Sequence, residues 1–225
     1  MKYIRFFLPA ILAMVLSLRL EAVTRIACVG DSITAGSGLA SPQTESWPAR
    51  LGELLGPDYE VNNCGVSGST LLKNGNKPYW KVSAFAAATQ FQPNIVIIAL
   101  GGNDSKSVNW DSHQGEFAAD ANALIDHFAS LPSAPKIYLA LPTPAFSKAF
   151  GVMESNNERI RGILREVAKS RQLTIIDLYA PLREDAALFH DGIHPQAEGA
   201  AKIARTVHAV LVQSKTAPEA HGESR

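Results

Sequence analysis

Short apolar runs alternate along this chain with longer stretches of helical periodicity. The runs are Ile26 to Gly30, Tyr59 to Asn63, Asn94 to Leu100, Lys136 to Leu141 and Leu173 to Asp177. Each has the length of a strand and ends at glycine, proline or a polar cluster. Ile95-Val96-Ile97-Ile98-Ala99-Leu100 is the most continuous, which suits a central parallel strand covered on both faces. Between the runs, Ser46 to Leu55 carries Pro48 in its first turn, and a second helix ends near Gln90. Gly115 to Ser130 brings Phe117, Ala121, Leu124, Ile125 and Phe128 to one side, and Glu154 to Arg171 does the same with Ile160, Ile163, Leu164 and Val167. A last helix spans Gln196 to about Gln213. Strand and helix in alternation imply βαβ units with right-handed crossovers. The expected architecture is α/β: a three-layer α/β/α sandwich with a five-stranded parallel sheet, in one domain over residues 23–214.

The 225 residues are 46% hydrophobic, enough for a full core, and their formal net charge is zero. That balance gives no electrostatic footprint for nucleic acid or an anionic membrane, so neither is an expected partner. Lys2 and Arg5 precede the apolar run Phe6 to Leu18, and Leu20-Glu21-Ala22 supplies a small residue for cleavage. Residues 1–22 therefore read as a signal peptide and the mature protein as exported, periplasmic or secreted. Residues 215–225 are polar, without apolar periodicity, and read as a disordered tail. Cys28 and Cys64 make no disulfide framework, and each sits on a buried strand, where free cysteine acts as a small hydrophobe.

Chemistry enters at the strand ends. In a parallel sheet all carboxyl ends share one edge, where ligands of open α/β sheets bind. Gly30-Asp31-Ser32 closes the first run, Asn63-Cys64-Gly65-Val66-Ser67-Gly68 the second, Gly101-Gly102-Asn103-Asp104 the third, and His190-Asp191-Gly192-Ile193-His194-Pro195 follows the fifth. A carboxylate three residues before a histidine in a turn can reach the imidazole Nδ1–H, leaving Nε2 as a base for a hydroxyl. Asp191 in isolation reads equally well as an Asx-turn residue. A tetrahedral oxyanion needs N–H donors, and the Ser32 N–H, the Gly65 N–H and the Asn103 amide are candidates. Asp31 and Asp104 read as structural, Asp31 capping a helix start or bracing the serine turn.

These four clusters, in this order from Gly30 to Pro195, resemble the four blocks of the SGNH (GDSL-type) serine hydrolases, with Ile33 where the family name has leucine. The resemblance implies a flavodoxin-like SGNH hydrolase fold and ester hydrolysis through an acyl-serine, with no metal and no cofactor. Carried over, it makes Ser32 the nucleophile, His194 the base and Asp191 its orienter, with Ser32, Gly65 and Asn103 lining the oxyanion hole. Competing motifs are weaker. Gly65-Val66-Ser67-Gly68-Ser69 nearly makes G-x-S-x-G but ends in serine with no helix directly after it. Ser133-Ala134-Pro135-Lys136 matches S-x-x-K at a strand start, and His190 and His194 share zinc-ligand spacing across Gly192, which does not suit a helix.

Substrate choice falls to loops at the same edge, where Tyr79, Trp80, Trp110 and Phe146 are the candidate substrate-binding aromatics; the competing role for them is to anchor loops onto the domain. Asn109-Trp110 and Pro78-Tyr79-Trp80 are similar to exported bacterial SGNH esterases assigned to carbohydrate O-acetyl groups, including sialate O-acetylesterase-like proteins. The expected activity is removal of short acyl groups, acetyl first, from a small-molecule or carbohydrate ester. Arylesterase, lysophospholipase and thioesterase activity stand as alternatives, and an inactive carbohydrate-binding protein is the alternative of another class.

Overall fold

The structure, a computed structural model, describes residues 23–216. The stretch read as a signal peptide and the chain beyond residue 216 lie outside the described residues. Five parallel strands form one sheet in the order β2-β1-β3-β4-β5: β1 Thr24–Gly30, β2 Tyr59–Gly65, β3 Ile95–Ala99, β4 Lys136–Leu141 and β5 Thr174–Asp177. The chain winds outward from β1 to β2 on one side and through β3, β4 and β5 on the other. The crevice where that direction reverses lies between the ends of β1 and β3.

Strand side chains alternate between two faces, and each face has its own core. Ile26 and Cys28 of β1, Ile97 of β3, Tyr138 of β4 and Ile176 of β5 face Trp47 and Leu51 of α3 (Trp47–Leu55) and Ile203, Val207 and Leu211 of the C-terminal helix. Ala27, Val29, Val96, Ile98, Leu139 and Leu141 face Phe117, Leu124 and Phe128 of one helix and Ile160 and Leu164 of the next. Completing the helices in chain order are α1 Ser32–Ala35, α2 Pro42–Glu45, α4 Ser83–Gln90, α5 Ser107–His113, α6 Phe117–Ala129, α7 Glu154–Arg171 and α8 Ala197–Thr216. The three-layer sandwich expected from the alternation is the observed one. Cys28 and Cys64 are free, and their side chains belong to the two different cores, on opposite faces of the sheet.

Two differences bear on the site. The segment around Trp110, expected as a loop, contains α5, whose only large apolar residues, Val108 and Trp110, are too few to show a helical period. The last helix runs to Thr216, so residues 215 and 216 continue it rather than begin a tail.

Candidate active site

The strand ends do converge. Asp31 caps α1 by accepting the Ile33 N–H on Oδ1 (3.0 Å), which sets Ser32 as the first residue of a four-residue helix directly beyond β1. From the far side, Asp191 Oδ1 accepts the N–H groups of both Ile193 (2.8 Å) and His194 (2.7 Å), closing the turn that carries the histidine. Its second oxygen accepts from His194 Nδ1 at 2.7 Å, and His194 Nε2 stands 2.9 Å from Ser32 Oγ. Asp191 thus makes the Asx-turn contacts and orients the imidazole at the same time. Burial opposes its charge, but the hydrogen bonds from the His194 N–H, the His194 ring and the Ile193 N–H prevail and bring it down to about 2. A hydroxyl bonded to an imidazole whose other nitrogen is held by a carboxylate can pass its proton to Nε2 as it attacks.

Gly192 makes this turn possible. Its φ is +80°, and a Cβ there would meet the Ser147 side chain at 2.7 Å. Ser147 itself donates its hydroxyl to the Asp191 carbonyl (2.7 Å), and the Phe146 N–H donates to the Gly192 carbonyl (2.8 Å). The segment after β4 is therefore stitched to the turn that holds the base.

The donors above Ser32 are not all those expected, and Gly65 is corrected. Its N–H is already given to Asn63 Oδ1 (3.0 Å), it does not line the cavity, and a Cβ on it would strike the α1 backbone at 2.3 Å. Its lack of a side chain serves packing of β2 beneath α1. Three residues later Gly68, at φ +81°, lines the cavity and is the glycine of this cluster positioned to offer a backbone N–H. The signal for it was present in the same glycine-rich segment, but strand β2 extends two residues further than expected, to Gly65, and moves the turn along. Asn103 is where it was expected, at the end of β3, with Nδ2 donating to Asp31 Oδ2 (3.3 Å) and to the Ser69 carbonyl (3.2 Å). Asp31 thus both caps α1 and holds the Asn103 amide. Burial raises its carboxyl to about 6, against the opposing effects of the Ile33 hydrogen bond and of the neighbouring His194 and Lys106. Asp104 is structural: fully buried and raised by that burial to about 7, it accepts the N–H groups of Leu71 (3.0 Å) and Leu72 (2.7 Å) and pins the segment after β2.

Ser32, His194, Asn103 and Gly68 open onto one cavity of about 240 Å³. Its remaining walls include Trp47, Ala99, Ala140, Leu178 and Ile193, together with Pro142, Phe150, Val152, Asn157 and Lys106. None of the four aromatics expected to bind substrate lines it. Tyr79 is fully buried and donates its hydroxyl to the Cys64 carbonyl (2.7 Å). Trp80 donates from Nε1 to the Leu71 carbonyl (3.0 Å) and packs against Phe85. Trp110 is buried against Phe117 because α5 turns it inward. Phe146 packs on Phe189. All four anchor loops to the domain, since each has a core contact or backbone acceptor within reach. The aromatic at the mouth is Phe150, 62% exposed, at φ +57°, with its ring edge-on to His194 at 5.0 Å between centroids.

Residues 28–202 match the GDSL-like lipase/acylhydrolase family. Among curated proteins, an acetylxylan esterase of Xylanibacter ruminicola is 37% identical over 210 residues, covering 85% of this chain and 44% of that protein. Thioesterase 1/protease 1/lysophospholipase L1 of Escherichia coli is 31% identical over 101 residues, 44% of each chain. The chain thus spans less than half the length of these relatives. In fold, Est24, a carbohydrate acetylesterase from Sinorhizobium meliloti, superposes with a TM-score of 0.68 at 22% identity, covering 85% of this chain and 99% of that one.

Proposed function

The chain belongs to the GDSL-like lipase/acylhydrolase family, and on that premise we propose that it is a serine esterase removing O-acetyl groups from carbohydrate. The observation that carries the chemistry is the continuous relay from Asp191 Oδ2 through His194 to Ser32 Oγ, at 2.7 and 2.9 Å, at the edge of a cavity. Ser32 Oγ attacks the ester carbonyl while its proton moves to His194 Nε2. The alcohol leaves with that proton, and a water then gives its proton to Nε2 as it attacks the acyl-serine. The carbonyl oxygen, negative in between, is met by the backbone N–H groups of Ser32 and Gly68 and by Asn103 Nδ2, which turns from its long contacts with Asp31 and Ser69. Asp191 stays ionised throughout and favours the imidazolium.

The carbohydrate acetyl substrate rests on the acetylxylan esterase relative, whose identity extends over 85% of this chain. A thioesterase or lysophospholipase reading is favoured by one observation, the largely apolar walls of a cavity roomier than an acetyl group needs. Export of the mature protein belongs to the same proposal and rests on the N-terminal charge and apolar pattern.

Turnover of p-nitrophenyl esters from acetate to decanoate separates the readings: acetate preference supports the acetylesterase, and long-chain preference overturns it. Ser32→Ala is expected to abolish both turnover and labelling by a fluorophosphonate, with an unchanged circular dichroism spectrum. Persistent labelling would move the nucleophile elsewhere.

A further inference from the structure

One polar side chain in the cavity wall has no role in the chemistry above. Asn157, on the first turns of α7, is 2% exposed and lines the cavity. Its Oδ1 is buried without a hydrogen-bond partner among the described residues. A buried polar group left unpaired destabilises a fold, so such groups are normally satisfied. One helical turn on, at i+4 and so on the same face, Arg161 is 3% exposed and pairs with Glu154, yet its Nη1 is also unpartnered. Asn157 Oδ1 and Arg161 Nη1 leave this buried polar face of α7 partly unsatisfied, although Glu154 and the Tyr179 ring hold the rest of the guanidinium, and Asn157 lines the cavity.

We propose that Asn157 is a specificity-determining residue that hydrogen-bonds a hydroxyl of the alcohol half of the ester. The side of the cavity follows from the chemistry. The leaving oxygen takes its proton from His194 Nε2, so the alcohol lies beside that ring. Phe150 packs edge-on to His194, and Phe150, Val152 and Asn157 follow one another closely in the chain and all line the cavity. The kind of group follows from the charges. Lys106 and Asp31, of opposite sign, both line the cavity, so its walls carry no surplus charge to draw a carboxylate. A carboxamide offers an acceptor oxygen and a donor NH₂, matching a neutral hydroxyl that can donate and accept. Phe150 presents an apolar surface to the ring that carries it. The inference rests on the carbohydrate reading and deepens it by naming the residue that tells a polyol from a plain alcohol.

The test compares two acetates that share an acyl group and ring size: mono-O-acetylated methyl β-xyloside and cyclohexyl acetate, which has no hydroxyls. The parent enzyme is expected to prefer the xyloside. In Asn157→Leu, kcat/KM for the xyloside should fall on the order of tenfold more than for cyclohexyl acetate, since tenfold corresponds to about 1.4 kcal/mol, within the range of one lost hydrogen bond. The same variant should unfold at a higher temperature, because an unsatisfied amide has been replaced by an apolar group of similar size. A structural role for Asn157 predicts the reverse: a lower midpoint and equal losses on both esters. A parent without preference for the xyloside overturns the carbohydrate reading and this inference together. A parent preference that survives Asn157→Leu overturns this inference alone.

Discussion

The turn that holds His194 and the wall that faces it are built on opposite terms. In the turn almost every polar atom is held: Asp191 alone accepts from Ile193, from the His194 backbone and from the His194 ring, and Ser147 holds its carbonyl. In the wall, Phe150 keeps an exposed ring on a left-handed backbone, and the Asn157 side-chain oxygen has no partner among the described residues. Catalytic geometry tolerates little displacement of its groups, and over-determined hydrogen bonding supplies the rigidity. A surface that recognises a partner must keep its hydrogen-bonding capacity unspent until the partner arrives. The contrast separates the part of the site that does chemistry from the part that chooses.

Breaking the turn should cost most. Asp191→Asn is expected to lower kcat by about 10⁴, because an amide neither fixes the tautomer nor favours the imidazolium. A loss under tenfold in steady-state kinetics would show that the turn needs no carboxylate and dissolve the contrast. Asn103→Ala, which touches the oxyanion without touching the relay, should lower kcat by roughly 10²–10³. An unchanged kcat would take the amide out of that role and leave Asp31 holding a spectator.

Stability against pH sharpens the same division. Asp31 and Asp104 have carboxyls raised to about 6 and about 7, above the 3.8 of the unfolded chain. The folded state therefore binds their protons more tightly, and the stability they contribute is fully present below about pH 4 and lost as pH rises through 6 to 7. Asp191, lowered to about 2, has the other sign: its contribution is present above 3.8 and lost as pH falls toward 2. Thermal midpoints measured from pH 3 to pH 8 should fall along the upper limb, and Asp104→Asn should flatten that limb relative to the parent. Parallel profiles for parent and variant would remove Asp104 as its source. The smallest effect is expected in the wall, where Phe150→Asn should stabilise the protein by about 1 kcal/mol in urea unfolding, since asparagine accepts φ +57° more readily and little burial is lost. A destabilised variant would mean that the Phe150 ring is packed after all.

The same contrast explains what could be read from the chain. Sheet, helices and relay are encoded locally: apolar runs of strand length, a capping aspartate two residues before Ile33, a carboxylate three residues before His194. Rules of spacing reach such features without knowledge of the rest of the fold. Gly65 and Gly68 differ only in where β2 stops, and strand ends are set by pairing with β1, which a sequence does not display. Tyr79, Trp80, Trp110 and Phe146 failed as substrate contacts for a related reason. Whether a loop aromatic faces a cavity or a core depends on distant partners such as the Cys64 carbonyl and Phe189. Asn157 lies in a polar helix beside Asn156, and nothing in that local pattern marks which of the two faces inward.

The hydrogen bonds that tie Phe146 and Ser147 to the turn at Gly192 also set how this protein can change. The root of the segment after β4 is coupled to the base, so a substitution at Phe146 or Ser147 alters catalysis along with whatever else it does. Phe150, Val152 and Asn157 lie beyond that tie and line the cavity. New substrate preferences are therefore most accessible, to evolution or to directed mutagenesis, at Val152 and Asn157, whose side chains line the cavity outside the relay of Asp191, His194 and Ser32.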